Sequence, residues 1–60
     1  MNLTSKELAA IEDQLGAEQT LVKKFSHYAQ MTTDPQLKAQ FQNTATKHQE
    51  HYDKLLAQLN

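Results

Sequence analysis

Seven positions between Leu8 and Ala29 leave this chain few folds to choose from. Leu8, Ile11, Leu15, Glu18, Val22, Phe25 and Ala29 follow one another at intervals of 3, 4, 3, 4, 3 and 4 residues. That spacing lines one face of a helix and is incompatible with the two-residue alternation of a strand. Six of the seven positions are apolar and the central one is a carboxylate. An unpaired carboxylate is costly to remove from water, so Glu18 needs a partner, a proton, a metal or a water. What the chain can do turns on which of these it finds.

The signals at the ends of the segment agree with a helix. Thr4-Ser5-Lys6-Glu7 has the form of a capping box, and Leu3 with Leu8 is placed as a hydrophobic staple, so helix 1 is expected to start at Ser5. Gly16 falls inside it, but the apolar register continues through it. It is expected to be helical and to mark a close approach by another helix. A flanking row of Gln14, Leu21 and Tyr28 widens the apolar face toward that of a bundle helix. Thr32-Thr33-Asp34 is the expected turn, ending helix 1 near Met31. Asp34 then serves as N-cap and Pro35 as first residue of helix 2, which is expected to run from about 35 to 58. The helix 2 seam reads Leu37, Phe41, Thr44 or Ala45, His48, His51 or Tyr52, Leu55 and Leu59. Glu50 and Lys54 are spaced for a surface ion pair, His27 lies off the seam, and Met31 is expected to fill a gap near the turn.

So short a turn makes the two helices antiparallel neighbours. Pairing residues at equal distances from Thr33 sets Phe25 against Phe41, Val22 against Thr44 and Ala45, and Ile11 against Leu55. By the same arithmetic Glu18 lies level with His48. The polar interruptions of the two seams thus fall in one layer. The expected fold is all-α, a single domain over residues 1–60. Sixty residues give a marginal core, and such chains lean on disulfides, a metal or oligomerisation. With no cysteine, oligomerisation remains, with or without help from a metal, so the hairpin is expected to form a homodimer, a four-helix bundle in which two-fold symmetry doubles the Glu18 layer.

Composition excludes several classes of function. There are six Lys, no Arg and seven acidic residues, with a net charge of −1 and no basic stripe, which argues against nucleic acid as a partner. No apolar run approaches the roughly 20 residues of a membrane span, and Met1-Asn2-Leu3-Thr4 lacks the form of a signal peptide, so a cytoplasmic site of synthesis is expected. There is no serine–histidine–aspartate set or nucleophile elbow, and a single Gly rules out Gly-rich phosphate loops; these argue against an enzyme.

Three stretches resemble a known family. Glu18-Gln19 at the centre of a capped long helix, the turn Thr33-Asp34-Pro35-Gln36-Leu37, and the run Lys47-His48-Gln49-Glu50-His51-Tyr52-Asp53-Lys54-Leu55-Leu56 are similar to those of short coat-F-type spore coat proteins of Firmicutes. The resemblance implies half of a ferritin-like four-helix bundle, a structural role in a spore coat, and other coat proteins as partners. Ferritin-like di-metal proteins take one Glu from each of two helices and a Glu-x-x-His from each of the others. Glu18 matches the lone Glu and His51 the His, but His48 stands where the second Glu belongs, which puts oxygen chemistry in doubt.

Two readings of the layer stay open. Glu18, His48 and His51 are candidate ligands for a divalent transition metal such as Zn²⁺ or Fe²⁺, since the two histidines are one helical turn apart. Alternatively, Glu18 and His48 form a buried charge-assisted hydrogen bond that fixes register and pairing without any cofactor. The first makes the chain a metal-binding or degenerate ferritin-like protein; the second makes it a non-catalytic structural module. A third role, weaker on the residues, is an adaptor offering the Leu21–Tyr28 row to another protein.

Overall fold

The structure, a computed structural model, describes residues 3–59. Residues 1, 2 and 60 of the expected domain, and with them half of the Met1–Thr4 start, lie outside the described residues. Two helices account for nearly all of the chain: α1, Ser5–Met31, and α2, Pro35–Ala57. They pack side by side as an all-α antiparallel hairpin, a rod with extents of 46 × 14 × 10 Å.

Each end is closed by the residues the sequence singles out. The Thr4 hydroxyl accepts from the Glu7 backbone N–H at 3.1 Å, and Glu7 Oε1 accepts from the Thr4 N–H at 3.0 Å, completing the capping box. At the turn, Thr32 leaves the helix with ψ 142° while its N–H still donates to the Tyr28 carbonyl. The Asp34 N–H donates to the Thr32 hydroxyl at 3.2 Å. Asp34 is extended, as a residue before proline must be. Its Oδ1 accepts from both Gln36 and Leu37 N–H at 2.8 and 3.1 Å. Helix α2 stops at Ala57, one residue before the expected end, with the Gln58 N–H turning back to the Leu55 and Leu56 carbonyls.

The core lies along the two predicted seams. Glu18, Ala29 and Ala45 are buried, while Ile11, Leu15, Val22, Phe25, Phe41, Thr44, His48, Tyr52 and Leu55 are half-buried. Thr44 can sit on the seam because its hydroxyl donates to the Gln40 carbonyl at 2.9 Å, within its own helix. Phe25 and Phe41 face each other as the pairing arithmetic requires, with ring centroids 6.2 Å apart. Tyr28 joins them, 5.9 Å from Phe25 and 5.5 Å from Phe41.

Three expectations are not met within the hairpin. Gly16 is helical, but a Cβ built on it meets nothing within 4 Å, so no helix of the hairpin approaches it. The position turns outward, 160° around the helix from Glu18 at about 100° per residue. Met31 is 69% exposed and fills no gap, because the turn leaves nothing packed over it. Glu50 and Lys54 form no ion pair; on the neighbouring strip of α2, Gln49 Nε2 donates to Asp53 Oδ1 at 3.0 Å.

Two predictions follow from the helix ends and the open glycine. Gly16→Ala should stabilise the fold by about 1 kcal/mol, the helix-propensity difference, in urea denaturation; a loss would show that another chain packs against this surface. The hydrogen bonds from the Thr4 backbone and side chain hold the Glu7 carboxyl below its ordinary value. Its capping contribution is therefore full above the unfolded-state value and is lost as pH falls through the lowered one. Glu7→Gln should remove that acid limb from the pH dependence of thermal unfolding.

Candidate metal centre

Glu18 is the middle residue of α1, with thirteen helical residues on either side of it. It is 4% exposed, the one buried charged residue among those described. Its Oε1 lies 2.7 Å from His48 Nδ1, and its Oε2 lies 2.9 Å from His51 Nδ1. One carboxylate thus spans two imidazoles from the facing helix. The His48 contact is an aligned hydrogen bond; the His51 contact is a close ion-pair approach. No buried side-chain polar atom among the described residues lacks a partner. The need that the sequence imposes on Glu18 is met within the hairpin.

Side-chain direction explains why both histidines reach it. Side chains on a helix lean toward its N-terminus. On α1 that is away from the turn, and on α2 it is toward the turn. Glu18 therefore leans past the level of its own Cα and meets His51, one turn farther along, as well as His48. Counting from the turn finds His48 and takes no account of the lean. The choice between His51 and Tyr52 for the seam resolves into both: Tyr52 is half-buried on the seam, and His51 is exposed but curls back to the carboxylate.

The same lean brings in Phe25, which counting from the turn pairs with Phe41 alone. Its ring lies nearly parallel to that of His48, 7° apart in plane with centroids 6.0 Å apart. It flanks the imidazole as an offset, near-parallel neighbour. The signal was present in the sequence, since Phe25 follows Glu18 by one heptad on the same face. The His51 ring stands edge-on to His48 at 5.5 Å. His27 is exposed and takes no part.

The proton positions follow from the acceptor chemistry. A carboxylate has no hydrogen to give, so His48 Nδ1 carries the one in the bond. His51 Nδ1 approaches Oε2 at 2.9 Å outside hydrogen-bond alignment, so the carboxylate's negative charge, rather than a directed bond, favours a proton on this nitrogen.

Glu18, His48 and His51 offer ligand atoms that all lie within 4.8 Å of one another and could hold a metal ion. One carboxylate and two imidazoles are a donor set used for zinc. Ligands bonded at 2.0–2.1 Å to a tetrahedral ion stand about 3.3 Å apart. The contacts of 2.7 and 2.9 Å are shorter, so the residues here are bonded to one another, and ligation through the same atoms would have to part them by about half an ångström. The donors fit one ion per hairpin. They do not fit a carboxylate-bridged pair of ions, because Glu18 is the one carboxylate in the cluster and already spans both histidines.

No family model matches the chain, and comparison with curated proteins and with solved structures gives no significant match. The resemblance to coat-F-type proteins therefore rests on the sequence stretches alone.

Substitutions separate the cost of the charge from the benefit of the pair. His48→Leu leaves a buried carboxylate with one partner and should cost about 1–3 kcal/mol in thermal denaturation. Glu18→Leu removes the buried charge and frees two partly exposed imidazoles to bind water, so it should be neutral or stabilising. The reverse order would show that the carboxylate is solvated by something other than His48.

Proposed function

We propose that this chain is a non-catalytic assembly module that acts as a homodimer, two hairpins closing face to face into a four-helix bundle. The observation that supports this reading is the thinness of the core. Among the described residues, Ala29 and Ala45 are the only buried hydrophobic ones. Leu8, Leu37, Leu56, Leu59 and Tyr28 keep 39–43% of their surface. The radius of gyration is 14.1 Å, against about 10 Å for a compact chain of this length. A rod one helix thick leaves its apolar stripes half wet, and a second layer of helices is the usual remedy. In this reading the assembly is a coat of the spore-coat kind, a role supported by the resemblance of Glu18-Gln19, the Asp34-Pro35 turn and the Lys47–Leu56 run.

A second reading has an observation of its own in the Glu18, His48 and His51 cluster: a metal-binding or degenerate ferritin-like protein. It calls for stoichiometric metal in protein purified without an affinity tag. Elemental analysis that finds none, with no thermal shift on adding Zn²⁺ or Fe²⁺, would remove it.

Sedimentation equilibrium tests the first reading. The protein should be a dimer at micromolar concentration, with helicity that survives a chelator and falls on dilution into the monomer range. A monomer that stays folded at micromolar concentration would contradict it.

A further inference from the structure

The Glu18 contacts engage one nitrogen on each imidazole and leave the other available. His48 Nδ1 is hydrogen-bonded to the carboxylate and His51 Nδ1 lies 2.9 Å from it, so a neutral ring whose proton sits on Nδ1 offers Nε2 as a bare lone pair. A carboxylate that holds one ring nitrogen of a histidine and presents the other is the usual outer-shell arrangement of metal-ligating histidines. The two rings are not equally open. The His48 side chain is 23% exposed and flanked by Phe25, whereas the His51 side chain is 56% exposed.

One hairpin cannot close a chelate through both Nε2 atoms. The two Nδ1 atoms converge on a single carboxylate, and Nε2 lies on the far side of each ring, so the free nitrogens point apart. Among the described residues no other His, Asp or Glu joins this cluster, so an ion on His51 Nε2 would draw its next protein ligand from another molecule. Glu18 is the midpoint of α1, so a two-fold axis that overlaps two hairpins along their whole length brings their Glu18–His51 layers to the same height.

We propose that His51 ligates a borderline divalent cation, of the Zn²⁺, Ni²⁺ or Cu²⁺ kind, through Nε2, and that the ion is shared with His51 of a second copy across the dimer. Glu18 is then not a ligand. It is a positioning residue that fixes the tautomer and aim of the ring from the outer shell, and water completes the coordination. This inference rests on the homodimer reading and gives that assembly a metal-dependent strength.

The test is sedimentation of the full, untagged chain with and without added Zn²⁺, paired with calorimetric titration by the same ion. The expected result is one ion per two chains and a dimer dissociation constant at least tenfold lower with zinc. His51→Ala should abolish the zinc effect, and His27→Ala should leave it unchanged. Glu18→Gln should weaken zinc binding by about 10–100-fold, the usual effect of losing an outer-shell partner. A dimer that forms without zinc and ignores it overturns this inference alone. One ion per chain, or a zinc effect that survives His51→Ala, overturns it as well. A chain that is monomeric with and without zinc overturns both this inference and the homodimer.

Discussion

A carboxylate in the middle of an apolar helix face has to be solvated by something, and here two imidazoles of the facing helix do it. Glu18 reaches His48 at 2.7 Å and His51 at 2.9 Å while keeping almost no exposure to water. The arrangement fixes more than one pair of atoms. A shift of α2 by one residue would turn His48 about 100° around its axis, put Lys47 or Gln49 in its place and take both imidazoles off the carboxylate. The apolar seams alone tolerate sliding, since a leucine packs nearly as well against one neighbour as another. The polar layer does not, so it sets the register that brings Phe25 to Phe41 and His48. A lone polar group used in this way limits the alternatives a two-helix chain can adopt.

The hairpin has specificity, then, before it has much core. Its caps are complete, its buried polar atoms are partnered, and its turn is pinned by Asp34. What it lacks is a second layer. The largest apolar side chains are half-buried at best, and several leucines are close to two-fifths exposed. Helical local structure and a fixed register prepare a surface for a partner, and the layer at Glu18 lies where a symmetric partner would bring its own.

Much of this was legible in the sequence for physical reasons. The capping box, the Asp34-Pro35 start of α2 and the 3,4 spacing are local signals, and each appears in the structure within one residue of its expected place. The Glu18–His48 contact was legible because antiparallel helices joined by a short turn pair by simple counting. His51 and Phe25 were harder, since their roles depend on the direction in which side chains lean and not on height along the axis. Nothing in the hairpin approaches Gly16, because a small residue permits close approach without supplying the neighbour, and spacing within one helix says nothing about its outer face. Met31 shows the same limit, because spacing along a helix does not tell whether anything packs over the turn that ends it.

The central claim is that one carboxylate holds both imidazoles by Nδ1. Long-range ¹H–¹⁵N correlation spectra of the histidine side chains test it most directly, above the pH at which the rings lose their second proton. The account requires His48 and His51 both in the Nδ1–H tautomer, with His27 free to differ. Either ring found as the Nε2–H tautomer would contradict it.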